Sequence, residues 1–407
     1  MSRNIVPRID KGADLGTAEK NWNKLYADAV ILRGSDLRTL LDSKIDLSTA
    51  IAKGDLFVAT GAGTITRFPR GADGEVLVSN SQTNEGLDWV PADARQPLTN
   101  SITINVGTGG DFPTINAAIA YVVSIYYPTF LATGTVPKVT INLLSGFVMS
   151  EQVIVDYLNL SWITIVGVDP ETTIRREALT IGFANGAPAF CARNGGFLPI
   201  INQVFSMDES GESYNRHGIW AYSNSRAIVS SGRGVKNSSG YDIFASNSSI
   251  IDAQGAGAQG TRIFAGHGSM INAEDANIPG GCIIARYGST INAYNVNTSE
   301  GYISAQFNSI INAQNANVTG GSTYGIYADA GSMINAEGAD ASATSETREV
   351  SIFARHGSTI NAEGADASGA SIVGIRAWNG SIINARGATG TLNQAANTIT
   401  TNGIILQ

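Results

Sequence analysis

One short pattern, repeated seven times, decides the fold of this chain; it is plainest at residues 268–277 (GSMINAEDAN), 288–297 (GSTINAYNVN) and 308–317 (NSIINAQNAN). Each copy centres on an Ile-Asn-Ala triplet, with Asp in place of Asn in the first copy. The middle residues of the triplets are Asp252, Asn272, Asn292, Asn312, Asn335, Asn361 and Asn384. They are 20, 20, 20, 23, 26 and 23 residues apart, so extra residues fall only between copies, as loop insertions do. Repetition of this kind is typical of a solenoid.

Within each copy the side chains alternate with a period of two. Ile271 and Ala273 share one face of the chain and Asn272 takes the other, which indicates a short strand. Two such strands in about 20 residues predict one coil of a parallel β-helix, with neighbouring coils about 4.8 Å apart. Stacked coils place an asparagine ladder outside and two columns inside. The inward columns are Ile251, Ile271, Ile291, Ile311, Ile334, Ile360 and Ile383, and Ala253, Ala273, Ala293, Ala313, Ala336, Ala362 and Ala385.

Composition agrees with many turns and short strands. Of 407 residues 43% are hydrophobic, only 15% are charged, and 46 are glycine. The apolar run at residues 117–127 is shorter than the roughly 20 residues of a membrane span, so we expect no membrane insertion. From residue 241 onward, twelve acidic residues face six arginines and no lysine, so we expect no nucleic-acid partner. Cys191 and Cys282 are expected to be buried thiols.

The region before the repeats contains a predicted helix and a first family resemblance. Apolar residues at helical spacing predict a helix over about 113–127 that covers the open end of the solenoid. VGTGGDFPTINAAIAYV, KVTINLLSG and WITIVGVDPETTI, within about residues 104–177, resemble the opening coils of pectin-lyase-like right-handed β-helix proteins. The resemblance implies that fold. The esterase and lyase patterns of the family are not recognisable later in the chain, so no catalytic residue carries over.

The first hundred residues resemble a different group. IVPRIDKGADLGTAEKNWNKLYADAVIL (residues 5–32) resembles the N-terminal segment of bacteriophage tail fibre and tail spike proteins through Leu15, Gly16, Trp22, Leu25 and Tyr26. Residues 54–92 are similar to a small β-rich module common in phage fibres; the matching positions are Gly54, Asp55, Leu56, Gly71, Gly74, Val76, Leu77 and Trp89. Between the two, a stripe on one face predicts a short helical neck. It consists of Leu37, Leu41, Lys44 and Ser48.

Together these patterns predict a chain of three parts: a virion-attachment segment (1–34), a neck with a small β module (35–100) and a β-helix (101–407) whose regular repeats span 217–390. The resemblance implies a homotrimeric phage tail fibre or spike. It would dock to tail or baseplate proteins through its N-terminus, be located in the virion, and recognise polysaccharide at the bacterial surface. Two alternatives stay open, a polysaccharide depolymerase and a structural spacer fibre that carries another receptor-binding protein.

One column of turn residues is a candidate glycan-binding site. His267, Tyr287 and Phe307 fall on successive coils, next to Arg286 and Gln306. Sugar rings stack on aromatic faces while their hydroxyls need polar partners, so this strip fits a glycan. Packing of the strip against a neighbouring subunit is the alternative. Trp220, from the irregular stretch 196–222, is a further candidate glycan contact.

The acidic residues form two other candidate sites. Glu337 and Asp340 occupy the same repeat positions as Glu363 and Asp366 on the next coil. Three interpretations stay open: a solvated face, a hard-cation site for Ca²⁺, and a glycosidase pair of Glu337 and Glu363. Apart from this structural Ca²⁺, no cofactor is expected.

The second acidic site lies in the irregular stretch 196–222. If the protein is an enzyme, Asp208, Glu209 and Glu212 in that stretch are catalytic candidates, because loops on a rigid scaffold often carry function. A purely structural loop is the alternative.

Overall fold

The structure is a computed structural model. It describes residues 31–32, 35–36, 52–62, 64–81, 83–91, 95–129, 136–180, 186–209, 215–257, 260–320, 323–343, 348–390, 397–400 and 403–407. The predicted attachment segment therefore lies outside the described residues, except for strand Ile31–Leu32. The neck positions Leu37, Leu41, Lys44 and Ser48 also lie outside them, as does the catalytic candidate Glu212.

The chain divides into two units, Met1–Ala94 and Arg95–Gln407. In the described part of the first unit the strands form antiparallel pairs. The pairs are Ile31–Leu32 with Ser35–Asp36, Leu56–Gly61 with Thr64–Phe68, and Glu75–Ser79 with Leu87–Pro91. The last two pairs fall within the stretch predicted as a small β-rich module. An ion pair of 2.8 Å between Arg67 and Asp55 ties the second hairpin to the residue before it.

The second unit is a parallel β-solenoid of about ten turns, with almost no helix in its described residues. Its largest sheet, called the long sheet below, has eleven strands. They are Val153–Asp156, Ala187–Arg193, Arg216–Tyr222, Ile243–Ser246, Arg262–Gly266, Cys282–Arg286, Tyr302–Gln306, Tyr324–Asp329, Val350–Ala354, Val373–Trp378 and Asn397–Thr400.

A second sheet has nine strands of three residues each. One of them follows each strand of the long sheet, beginning with Arg216–Tyr222. They are Arg226–Ile228, Ile250–Asp252, Met270–Asn272, Thr290–Asn292, Ile310–Asn312, Met333–Asn335, Thr359–Asn361, Ile382–Asn384 and Ile404–Leu406. The first two residues of each repeated triplet lie in strands of this nine-stranded sheet.

Two four-stranded sheets complete the first turns. One consists of Ile102–Val106, Val139–Leu143, Ile163–Gly167 and Ile200–Ile201, and the other of Val148–Met149, Thr172–Ile174, Val204–Met207 and Gly234–Lys236. A short parallel pair, Gln96–Pro97 with Tyr126–Tyr127, and a 3-10 turn at Arg176–Ala178 are the other elements of this region.

The predicted helix is present at Ile115–Ile125. Thr114 caps it, since its side-chain oxygen accepts a hydrogen bond of 3.1 Å from the Ala117 backbone N–H. Glu151 accepts two more backbone N–H groups at the same end. The buried face consists of Ile115, Ala118, Ile119 and Val122 and joins the main core, because apolar residues at positions three and four apart share one side of a helix.

The core of the solenoid consists of the predicted columns. Every isoleucine and alanine of the two columns is buried, and successive members of the isoleucine column are strand partners, as Ile271 is of Ile251 and Ile291. The predicted asparagine ladder is also present: the Nδ2 group of Asn292 donates to Oδ1 of Asn272 at 3.1 Å, and the pattern continues to Asn384. The parallel β-helix predicted from the repeat is therefore confirmed.

The two cysteines are free and buried, as the sequence predicts. Burial raises the pKa of the Cys191 thiol to about 12 and that of Cys282 to about 11, so neither is a reactive thiolate at neutral pH. Across the described residues, no helix combines the length and the apolar character that a membrane crossing requires.

Candidate functional site

The predicted aromatic strip is a continuous stack of three rings at the carboxyl ends of three neighbouring strands of the long sheet. His267, Tyr287 and Phe307 each directly follow a strand of that sheet. The ring centroids of His267 and Tyr287 are 4.9 Å apart, and those of Tyr287 and Phe307 are 5.0 Å apart with planes within 6°. Tyr287 is 48% exposed and Phe307 is 44% exposed. The three rings therefore form a planar, solvent-facing surface.

The backbone holds these rings in an unusual conformation. His267, Tyr287 and Phe307 have φ values of 54°, 57° and 56°, in the left-handed region that bulky residues rarely adopt. The residue after each one also has positive φ, so the chain makes a tight corner on each turn. This corner points the three rings away from the solenoid.

Stacking occupies most of the ring faces and leaves two free. Both faces of Tyr287 lie against its neighbours, so only its edge and hydroxyl remain for a ligand. The outer faces of the stack belong to His267 at one end and to Phe307 at the other. Each of these two residues lines a cavity, of about 460 Å³ at His267 and about 410 Å³ at Phe307. The strip thus joins two cavities.

The cavity at Phe307 exists because one small residue interrupts a row of large ones. Successive strands of the long sheet carry, at one outward position, Phe264, Ile284, Ser304, Tyr327 and Phe353. Ser304 leaves a hollow in this row. The residues that line it are Tyr302, Ser304, Gln306, Phe307, Tyr324, Tyr327, Asp329 and Arg355. Three tyrosines and a phenylalanine with a few polar groups are the composition of a small-ligand site.

Asp329 is the centre of the polar side of this cavity. Its carboxylate accepts hydrogen bonds from the Tyr327 hydroxyl at 2.7 Å and from Arg355 Nη2 at 2.8 Å, and Nδ1 of His356 lies 2.8 Å from its other oxygen. Partial burial opposes ionisation, but the hydrogen bonds from Arg355, His356 and Tyr327 outweigh it and lower the pKa of Asp329 to about 2. A carboxylate held ionised in this way cannot act as the proton donor of a glycosidase at neutral pH.

The cavity at His267 has a similar composition. It is lined by Asn215, His217, Ser239, Gly240, Tyr241, Phe244, Arg262, Phe264 and His267. The rings of Tyr241 and Phe264 stack with centroids 4.4 Å apart, and burial raises the pKa of Tyr241, so its hydroxyl stays protonated and can donate.

Two further candidate glycan contacts have different positions. Arg286 ends the strand before Tyr287, and its guanidinium carbon lies 5.9 Å from the centre of the Phe264 ring, so it belongs to the same face as the strip. Trp220 is only 1% exposed, and its Nε1 group donates to Ser246 Oγ at 2.8 Å. The predicted role for Trp220 does not fit this position, because a buried indole offers no face to a glycan.

The structure does not gather the four carboxylates of the proposed cation site. Oδ1 of Asp340 accepts hydrogen bonds from the backbone and hydroxyl of Ser342, and Oδ1 of Asp366 accepts one from the Ser368 backbone. These are bonds that aspartates use to stabilise turns. Partial burial of Asp366 is outweighed by the bonds from Ser368 and Thr389, which lower its pKa.

Glu337 and Glu363 are exposed and occupy equivalent positions on neighbouring turns. Throughout the described part of the chain, no three His, Cys, Asp or Glu side chains are grouped to hold a metal ion. The structure thus supplies no converging ligand set at these residues.

The other catalytic candidates lie on a different sheet. Asp208 follows strand Val204–Met207 and forms an ion pair of 3.1 Å with Arg175, and its second oxygen accepts the Arg176 backbone N–H at 2.9 Å. Glu209 is exposed beside it. Through these contacts Asp208 joins two neighbouring turns of the solenoid.

Sequence reasoning missed the cavity residues Tyr302, Tyr324, Tyr327, Asp329 and Arg355. One signal was present: large apolar residues alternate outward as well as inward in the strands of the long sheet, as Phe264 does between Ile263 and Ala265. Outward apolar residues on a solvated solenoid mark an interaction surface.

Comparison of the amino-acid sequence with protein-family models and with curated proteins finds no match to either.

Proposed function

We propose that this chain binds polysaccharide on the outer face of the long sheet. The observation that carries the proposal is the free face of Phe307, which lines a cavity of about 410 Å³ together with three tyrosines, Ser304, Gln306, Asp329 and Arg355. A sugar ring stacks on an aromatic face while its hydroxyls bond to amide, carboxylate and guanidinium groups around it. The stacked rings then lead toward the second cavity at His267, so a chain of several sugars has contacts along the face.

We further infer that the protein is a homotrimeric component of a bacteriophage tail fibre or spike that attaches to the bacterial surface. The resemblance of residues 1–100 to phage fibre segments supports this role, with docking to tail or baseplate proteins through residues 1–34. The resemblance of residues 104–177 to pectin-lyase-like proteins supports a right-handed solenoid, and the spacing of the triplets supports coils of about 20 residues. Several copies of a weak glycan site in one trimer would bind a surface far more tightly than one copy.

An exposed apolar stripe supports association of copies of the chain. At one outward position, successive strands of the nine-stranded sheet carry Ile250, Met270, Thr290, Ile310, Met333, Thr359, Ile382 and Ile404. Met270 and Met333 are 52% and 53% exposed. A surface row of this length in which six of eight side chains are apolar is typical of a protein interface.

Binding to purified capsule and lipopolysaccharide tests the proposed function. We expect Phe307→Ala to weaken binding at least tenfold because the stacking face is lost. Ser304→Ile should do the same by filling the hollow, and it should fold normally because the neighbouring strand carries Ile284 at the same position. Affinity electrophoresis measures the change, and circular dichroism verifies the fold.

Tyr294→Ala is the matched control. Tyr294 comes shortly after strand Thr290–Asn292 of the nine-stranded sheet and lies away from the strip. Normal binding by both Phe307→Ala and Ser304→Ile would refute the site. The appearance of new reducing ends or unsaturated sugars during the incubation would show that the protein cleaves the polysaccharide. The proposal would then be a depolymerase in place of a binding protein.

A further inference from the structure

We propose that the ligand of this face is an acidic polysaccharide, one that carries carboxylate or sulfate groups. This inference rests on the proposed function and names its substrate class. It comes from the distribution of charge around the solenoid, which the net charge of the chain conceals.

The solenoid is acidic, yet its long sheet is basic. After residue 241 the chain has twelve acidic residues and six arginines. Only one of the acidic residues, Asp329, lies in a strand of the long sheet. Of the six arginines after residue 241, Arg262, Arg286 and Arg376 lie in its strands and Arg355 directly follows one. Two other acidic residues, Asp242 and Glu349, directly precede strands of the sheet. A local positive field on an otherwise negative molecule selects for an anion at that face.

Two of the four arginines already have carboxylate partners. Arg355 is paired with Asp329 at 2.8 Å, and Arg262 lies 3.9 Å from the Asp242 carboxylate. Arg286 and Arg376 form no ion pair and no side-chain hydrogen bond with the described residues, and their Nε atoms are buried without a partner. Within the described residues after position 241, the unpaired positive charge of this face therefore resides on Arg286 and Arg376.

Aromatic rings hold both of these guanidinium groups in place. The guanidinium carbon of Arg286 lies 5.9 Å from the centre of the Phe264 ring, and that of Arg376 lies 5.5 Å from the centres of both the Phe353 and Trp378 rings. A cation on a ring face keeps its orientation before the ligand arrives, and a guanidinium is suited to two parallel hydrogen bonds with a carboxylate or sulfate.

Arg286 also lies where a ligand would pass. Its strand partners are Gly266 on one side and Gln306 on the other, so it is between the cavity at His267 and the cavity at Phe307. Arg376 is four strands further along, at about 19 Å, beyond the cavity at Phe307. A polysaccharide whose acidic groups recur at about this separation could contact both arginines.

A glycan array tests the inference with the full-length protein. Each uronate-bearing or sulfated saccharide is printed beside its carboxyl-reduced or desulfated counterpart, and a single-stranded DNA oligonucleotide is included as a non-saccharide polyanion. We expect the acidic member of a pair to bind at least tenfold more tightly and to lose most of that advantage at about 0.5 M salt, where charges are screened within a few ångströms.

Three variants locate the effect. Arg286→Gln and Arg376→Gln should each reduce binding of the acidic saccharide about tenfold more than binding of its neutral counterpart. Arg386→Gln makes the same change of charge at an exposed position after the nine-stranded sheet and should have no effect. Equal losses in all three variants would overturn the assignment to this face.

The other outcomes separate this inference from the proposed function. Neutral saccharides that bind as well as acidic ones, with loss in Phe307→Ala, would leave glycan binding intact and overturn the acidic ligand. Acidic binding that needs Arg286 but not Phe307 would uphold the acidic ligand and remove the stacking site. Binding of no saccharide, or strongest binding of the oligonucleotide, would overturn both.

Discussion

Individual residues at the corner of each turn determine what the long sheet presents to solvent. At the strip position, the repeat tolerates Asn247, His267, Tyr287, Phe307 and Ala330, all with positive φ. Left-handed backbone costs an L-residue about 1–2 kcal/mol, and asparagine is the residue that tolerates it best after glycine. The backbone conformation therefore does not explain why aromatic residues occupy these corners. Their use at three successive corners is explained by the surface that they form.

The hydrogen bonds of Asp329 lead to a prediction about how the stability of the fold depends on pH. Its pKa is lowered from 3.8 to about 2, so its bonds to Arg355, His356 and Tyr327 stabilise the fold fully above about pH 4 and are lost as the pH falls toward 2. The variant Asp329→Asn lacks this ionisation. The difference in melting temperature between wild type and Asp329→Asn should therefore be largest at pH 5 to 6 and shrink between pH 4 and 2. A difference that stays constant over this range would contradict the assigned network.

At the scale of elements, a row of buried serines supports the turns between the two main sheets. The backbone N–H of each serine donates to the hydroxyl of the serine on the next turn, at 3.1 to 3.3 Å. The row consists of Ser225, Ser249, Ser269, Ser289, Ser309, Ser332, Ser358 and Ser381. Backbone N–H groups at these corners have no ladder partner, so a small side chain that can accept is needed on every turn.

Ser309→Ala tests this row. The substitution leaves the Ser289 N–H buried without an acceptor, so we expect the free energy of unfolding to fall by about 1–3 kcal/mol. Ser231→Ala is the control, since Ser231 is exposed, and should change it by less than about 0.5 kcal/mol. Urea denaturation measures both values. Equal stability of Ser309→Ala and wild type would mean that water replaces the hydroxyl.

For the whole molecule, the two long faces of the solenoid have different surfaces. The long sheet carries aromatic rings and arginines, while the nine-stranded sheet carries the apolar stripe beside the asparagine ladder. Apolar side chains in a stripe of eight strands, about 34 Å long, favour burial against another protein surface. The stripe therefore suits association of copies, and the long sheet suits a soluble ligand.

A charge in the stripe should prevent association. We expect wild type to sediment as a trimer and the double variant Met270→Glu with Met333→Glu to sediment as a monomer, because burying two carboxylates without partners is strongly unfavourable. Thr173→Glu adds a charge at an exposed strand position outside the stripe and should remain trimeric. Analytical ultracentrifugation at micromolar concentration measures the mass. A monomeric wild type would refute the trimer, and a trimeric double variant would place the interface elsewhere.

Sequence alone determined the solenoid and its interior, because equivalent residues on stacked turns must share a column and side chains alternate with a period of two. For the same reason it placed His267, Tyr287 and Phe307 side by side. It did not reveal that Trp220 is buried, since the outer side chains of the long sheet form a cluster of their own.

Only the tertiary structure decided where the cavity lies. Its residues come from turns separated by insertions of different length, and the hollow depends on Ser304 being small while Ile284 and Tyr327 on either side are large. The pairing of Asp329 with Arg355 was likewise hidden, as was the absence of an ion-pair partner for Arg286 and Arg376 among the described residues. A charge count gives the number of charges but not which ones meet across neighbouring turns.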